Sequence, residues 1–403
     1  MSIISPFKGF RYSETAGRIE NLIAPPYDVI GSDYRKVLIE RSQHNIVHLT
    51  LPESFEVDYH KNIADKLKKW CDEKILVQDL ENKYYVLRQT FHYKGRTVKR
   101  TGFICLIDLS QSNRIIKHEV IFNKYRDDRI KLLDITKANL EPVFLLYEDK
   151  DSILEKVSRN LLFPIRADFE DYTIEFSGCN PDVLSEFMKK LENTTFFLAD
   201  GHHRFQASYE YYRQNPQTAP GYIMCYLTNL FSDSLVVLPT HRAIMKNISP
   251  LERINEVKQF FDIEKHQNLQ DVLHRIEEKN TCIFGVFFNG NFQTWKIKNI
   301  ENIKSFLPEG YSDDWKTLDS VILHYFVLQK IFGIPGDEKL YYDIHPETIV
   351  KKIEDGECSI GFFMRNPDIM KIKSVSSKLE ILPPKTTFFY PKIPSGLVIA
   401  RYI

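Results

Sequence analysis

Apolar and polar positions along this chain switch repeatedly between a period of two and a period near 3.6, which predicts strands and helices interleaved throughout. Tyr84 to Tyr93 alternates as a strand, Lys94-Gly95 supplies a turn, and a second strand ends at Cys105-Leu106-Ile107. Pro142 to Tyr147 is uniformly apolar and reads as a buried strand. The spacing of Ile63, Ala64, Leu67 and Trp70 predicts a helix over about 57–74. A second helix is expected from Asp127, with Ile130, Leu132 and Leu133 inward. A third is expected over about 182–192, with Asn180 as its cap and Pro181 in its first turn. Tyr222 to Leu227 and Leu235 to Leu238 read as paired strands.

Past residue 246 the pattern restarts. Ser249-Pro250 opens a helix carrying Leu251, Ile254 and Val257, and Asn268 opens another with Val272, Leu273 and Ile276. Phe284 to Phe288 is joined through Asn289-Gly290 to Phe292 to Ile297, and a further helix carries Leu318, Val321, Ile322 and Tyr325. The fold class is therefore α/β or mixed α+β. Three regions are expected, at 1–150, 151–245 and 246–403, although no Gly/Ser-rich linker marks the joins.

The stretch richest in chemistry is Asp200-Gly201-His202-His203-Arg204. The apolar run Thr195-Phe196-Phe197-Leu198 enters it as a strand, and Phe205, Ser208, Tyr209 and Tyr212 leave it at helical spacing. Backbone N–H groups and the positive end of a helix dipole collect at such a junction and attract anions. Gly201 lets backbone approach an oxyanion, and Arg204 offers a planar fork matched to phosphate oxygens. His202 or His203 can donate to a phosphoryl oxygen or carry a proton near neutral pH. Asp200 is read as a magnesium ligand, as an orienter of a histidine, or as a plain helix cap. The bland alternative is a structural histidine pair beside a solvated arginine.

Composition narrows the partners. Lys plus Arg and Asp plus Glu number 54 each, so the 403-residue chain has no basic excess for nucleic acid or an anionic membrane. No apolar run reaches the length of a membrane span, and the N-terminus does not read as a signal peptide. The six cysteines form no CxxC pair and read as buried thiols in a reducing cytoplasm. The expected partners are a small-molecule substrate and a nucleotide, with a homodimer left open.

Other residues have weaker claims. His118-Glu119 lies between a strand and a charged helix; Glu119 is a candidate general base, or a surface ion pair with Arg126 or Lys124. Arg126 and Arg129, one turn apart, could grip a second anion or form a solvated face. His241 and Arg242 follow an apolar strand and Pro239, where site residues are common; the alternative is a structural turn. Lys385 and Lys392 flank hydroxyls and aromatics, and could meet a phosphate or snorkel from a hairpin. Tyr27 and Asp28, after Pro25-Pro26, could close a lid or hold an amine. The P-loop, Gly-x-Gly-x-x-Gly, His-Glu-x-x-His and Gly-x-Ser-x-Gly motifs are all absent.

Several of these stretches recur, in order, in one family. Ala24 to Ile30, Lys117-His118-Glu119, Arg126 to Arg129, Ala199 to Arg204, Leu238 to Arg242 and Pro383 to Lys392 resemble the bacterial family called domain of unknown function family 1015. Thr386 stands where that family more often shows Ser. The Asp-Gly-His-His-Arg turn is in turn similar to the phosphate-binding turn of the ParB and sulfiredoxin superfamily, whose members include CTP-binding segregation proteins and free-serine kinases. This resemblance implies a ParB/sulfiredoxin-like core with additional N- and C-terminal α/β segments.

The function it implies is a nucleotide-binding phosphotransferase acting on a small hydroxylated metabolite, with serine or phosphoserine as first candidates. Glu119, Asp200, His202 and His203 would be catalytic. Gly201, Arg204, His241, Arg242 and Lys385 would hold the nucleotide (ATP, ADP or CTP), and Asp200 would hold Mg²⁺. Two alternatives are a phosphatase that phosphorylates one of the histidine pair, and a nucleotide-responsive binding protein without metabolic turnover.

Overall fold

The computed structural model describes residues 2–52, 58–119, 123–245, 248–278, 281–334, 336 and 339–402. The chain forms two compact units. One comprises residues 1–116, 121–236 and 391–403, and the other 117–120 and 237–390. The architecture is mixed α/β, as the alternating periodicities predict.

The first unit is built on one mixed sheet. Its strands run in the order Ile115–Ile116, Phe196–Asp200, Val143–Tyr147, Tyr222–Asn229, Arg96–Asp108, Tyr84–Tyr93, Tyr172–Cys179 and Ile165–Phe169, with Ile4–Ser5 also on Arg96–Asp108. Lys94 and Gly95 both take positive φ, 46° and 76°, as a two-residue hairpin turn requires. Val143–Tyr147 pairs with both Phe196–Asp200 and Tyr222–Asn229. The sheet therefore runs straight across residue 150, and strands of the first two expected regions share one core. Val86, Phe103, Leu145, Phe187, Leu198 and Leu227 lie in that core.

Two helices cover the expected segments closely. Tyr59–Asp72 buries Ile63, Leu67 and Trp70, while Asn123–Thr136 carries the buried Leu132 and Leu133. The expected start at residue 57 lies outside the described residues, as does the side chain of Lys124. Asn180 caps as predicted, accepting from the Asp182 N–H, but the first turn, Pro181–Leu184, is a 3₁₀ turn. Tyr222–Asn229 does not pair with the strand that follows it. Both its edges are taken by Val143–Tyr147 and Arg96–Asp108, so Val236–Leu238 pairs instead with Phe388–Tyr390.

The second unit holds an antiparallel sheet in the order Phe261–His266, Asn291–Ile297, Ile283–Phe288, Ile360–Phe363, His241–Ile244 and Leu340–Asp343. Asn289-Gly290 makes the predicted turn. Alternation along the strands splits the core. Val272, Ile276 and Ile349 pack on Ala243, Ile283 and Phe287, while Phe284, Trp295 and Phe362 meet the helix bearing Phe326 and Ile331. That helix begins at Asp319–Val321 and continues as a π-helix over Ile322–Ile331, which the apolar spacing did not reveal. The helix expected at Ser249-Pro250 starts as a 3₁₀ turn that leaves Leu251 exposed.

Candidate functional site

The Asp200–Arg204 stretch is a strand–glycine–helix turn in the first unit. Phe196–Asp200 is the entering strand, and its pairing with Val143–Tyr147 slips in register between Leu198 and Asp200. Such irregularities re-aim side chains at a strand end. Gly201 follows in the left-handed region at φ 86°, and the helix His202–Gln214 begins at once. A φ of 86° favours glycine, and a Cβ on Gly201 would approach the Arg204 guanidinium tightly, at 3.1 Å. The Phe205 N–H closes the first helical bond on the Gly201 carbonyl at 2.9 Å. The N–H groups of His202, His203 and Arg204 precede that bond and have no partner within the helix.

Charge is concentrated behind this turn. Asp200 Oδ1 lies 2.6 Å from Lys392 Nζ, and Asp200 Oδ2 accepts from Arg204 at 3.0 Å. Burial alone would raise the Asp200 pKa, but Lys392 and Arg204 outweigh it and hold the carboxyl at about 2. Arg204 is buried and also donates to the Pro142 carbonyl at 2.6 Å. Burial works against its charge; the nearby carboxylates of Glu141, Asp200 and Asp28 more than restore it. Glu141 is itself buried, which pushes its carboxyl up against the pull of Arg204 and Arg129. Its Oε1 accepts from the Tyr27 N–H at 3.0 Å and from the Ser395 hydroxyl at 2.8 Å. His202 is buried and pushed down to about 4, so it is neutral at physiological pH, whereas His203 is only partly covered.

The arginines of the charged helix are committed locally. Arg126 pairs with Asp127 at 2.8 Å and with Glu210 at 3.3 Å. Arg129 pairs with Asp128 and lies 4.2 Å above the Tyr27 ring. The expected grip on a second anion would therefore compete with built-in carboxylates. Tyr27 is fixed between Glu141 and Arg129, so it is a strut rather than a free lid in this arrangement.

The remaining predicted residues gather in the second unit. Glu119 Oε1 accepts from the Lys385 N–H at 3.2 Å, and Glu119 bridges to Leu382. His241 is buried and pushed down to about 4, and its Nδ1 accepts from the Met364 N–H at 3.1 Å, which places the proton on Nε2. It supports the sheet rather than facing an opening. Arg242 is also buried and donates to the Pro384 carbonyl at 3.2 Å. Arg242, Lys385, Thr240 and Thr386 line a cavity of about 540 Å³ together with Asp319, Arg365 and Lys371.

The family described as Protein of unknown function (DUF1015) matches residues 4–321. The chain belongs to that family. No curated protein matches it. Among solved structures, a conserved hypothetical protein from Pyrococcus furiosus is similar at 15% identity and a TM-score of 0.36, over 72% of this chain and 93% of its own. A free serine kinase in complex with AMP matches at 16% identity and 0.36, over 71% and 86%. SbnI from Staphylococcus aureus, truncated at its C-terminus, matches at 7% and 0.37, over 73% and 86%. At these values the likeness says nothing about activity.

The family's motifs sort into the two units. Tyr27, Asp28, Arg129, Asp200, Arg204 and Lys392 belong to the first, and Glu119, His241, Arg242 and Lys385 to the second. Sequence reasoning missed Glu141, whose only signal is a lone acid between Leu140 and the apolar strand, and Ser395. It also missed Asp319, Arg365 and Lys371, which sit in unremarkable sequence and meet only in three dimensions.

Magnesium does not fit Asp200 as it stands, because a cation already occupies each carboxylate oxygen. Among the described residues no group of three or more His, Cys, Asp or Glu could hold a metal ion. Among them, too, no helix is long and apolar enough to cross a membrane.

Proposed function

We propose that this protein binds a nucleotide by its phosphates at the Gly201–His203 turn and transfers a phosphoryl group to a small hydroxylated metabolite, serine being the first candidate. The observation that carries this reading is the turn itself. A left-handed glycine opens a 13-residue helix beside a carboxylate that is fixed by Lys392. Helix-start amides and an adjacent ammonium together suit a phosphate group.

The roles differ from those the sequence suggests. Arg204 is the buried brace that holds Asp200 and the Pro142 carbonyl in place. The phosphate contacts fall to the amides of His202 and His203, to the His203 ring and to Lys392. In the transfer, the substrate hydroxyl oxygen forms a bond to the terminal phosphorus as the bond from that phosphorus to the nucleotide's bridging oxygen breaks. The hydroxyl proton passes to a general base. Catalysis of this kind rests on positioning and charge stabilisation.

The test is a ³¹P NMR screen of ATP, ADP and CTP with serine, run in both directions with phosphoserine. A new phosphomonoester resonance, lost in Gly201→Ala, is expected. Binding of nucleotide with no conversion in either direction would instead favour a nucleotide-responsive binding protein. A stable acid-labile phosphohistidine would favour the phosphatase chemistry.

A further inference from the structure

The cavity in the second unit has a composition of its own. Four cations reach its wall, Arg242, Arg365, Lys371 and Lys385, against three carboxylates, Glu277, Asp319 and Asp368. Two of those carboxylates are committed. Asp319 holds Arg365 through two contacts of 2.6 and 3.2 Å, and Asp368 caps the helix Ile369–Ser377 by accepting from the Met370 and Lys371 N–H groups. Arg242, Lys371 and Lys385 therefore outnumber the one remaining carboxylate, Glu277, in the space that is left. The Lys371 ammonium donates to the Thr317 carbonyl at 2.8 Å and is half-buried; burial lowers its pKa against the pull of Asp319 and Asp314.

Lys385 is the unusual member. Its backbone sits at φ 56°, in the left-handed region that favours glycine. Its N–H is tied to Glu119, and the next residue, Thr386, folds its hydroxyl onto the Pro383 carbonyl at 2.7 Å. A long cationic side chain is thus carried at a strained position on a cavity wall, and strain of this kind is concentrated at ligand sites.

The lining also limits the ligand. Hydroxyls come from Thr240, Thr317, Ser320 and Thr386, and none of the lining residues is aromatic. No aromatic ring in this wall would stack a nucleobase. A volume of about 540 Å³ suits a small molecule.

We infer that this cavity binds a small, non-aromatic metabolite through a phosphate or carboxylate group held by Lys385, Lys371 and Arg242. The inference is independent of the phosphotransferase reading, which concerns the Asp200 turn.

The test is isothermal titration of the full chain with inorganic phosphate and, separately, with malonate. Saturable binding of at least one probe is expected, and the tighter of the two identifies the ligand's head group. Removing one charge-assisted contact should weaken that binding about tenfold. Lys385→Gly should do so while the Tm stays level or rises, because glycine relieves the backbone strain. Lys371→Met should weaken it by a similar factor. Lys392→Met, in the first unit, removes any phosphate binding at the Asp200 turn and should leave the Lys385-dependent part of this titration in place. No saturable binding of either probe overturns the inference, as does an affinity unchanged in Lys385→Gly. If Lys392→Met abolishes binding and Lys385→Gly does not, the anion belongs to the Asp200 turn; the inference then fails while the proposed function stands.

Discussion

Lys392 Nζ lies 2.6 Å from Asp200 Oδ1 although 192 residues separate the two in sequence. Both side chains are mostly buried, 12% and 16% exposed, so solvent screens the pair little. Asp200 keeps its folded pKa, about 2, below its unfolded value of about 3.9. Its stabilising contribution is therefore complete above about pH 4 and is lost as pH falls through about 2. Lys392→Met removes the stronger of the two pulls that oppose burial of Asp200. It is expected to cost about 3 kcal/mol at neutral pH and to move the acid loss to higher pH. Urea denaturation at a series of pH values reads both; an acid limb identical to that of the parent chain would refute the coupling.

Arg204 separates a structural brace from a phosphate clamp. Arg204→Met leaves Asp200 with Lys392 alone and strips Glu141 of its main buried counter-charge. A loss of about 3 kcal/mol is expected without any nucleotide present. Adding Glu141→Gln removes the uncompensated acid and should restore part of that loss. A double-mutant cycle by chemical denaturation measures the coupling. Strict additivity, with stability untouched and only nucleotide affinity reduced, would show that Arg204 faces the ligand after all.

Two buried histidines give each unit a signature in mild acid. His202 and His241 are both pushed down to about 4 by burial, whereas an unfolded histidine titrates near 6.5. The unfolded chain takes up protons first as pH drops. Each histidine's contribution is therefore complete above about 6.5 and is lost as pH falls through about 4, by up to about 3 kcal/mol. His202→Gln should flatten the pH dependence of the first unit's unfolding, and His241→Gln that of the second. Thermal scans between about pH 7.5 and 4 show it; parallel slopes for variant and parent would exclude this role.

What the sequence revealed was local. Lys94-Gly95 and Asn289-Gly290 announce their hairpins because the positive φ of a two-residue turn restricts residue choice at that spot. Asn180 and Asn268 announce helix starts because a cap acts within three residues. The strand–glycine–helix turn at Gly201 is legible for the same reason. The direction of the Arg204 fork is not, since its carbonyl partner, Pro142, lies 62 residues away. Nor is the second-unit cavity, which is assembled from segments around residues 240, 319, 365 and 385. The expected break at residue 150 failed because strand pairing, unlike periodicity, leaves no mark in a single sequence.

The stretch Pro391–Ile403 belongs to the first unit although everything from Val237 to Tyr390 belongs to the second. Ser395 pairs with Ala24, Ile399 with Phe10, and Ala400–Arg401 with Ala138–Asn139. A ribosome therefore delivers the whole of the later unit before the earlier one receives its closing piece. Nascent chains must hold the first unit in waiting, with Glu141 still lacking Ser395 and Asp200 still lacking Lys392, until synthesis reaches residues 391–403.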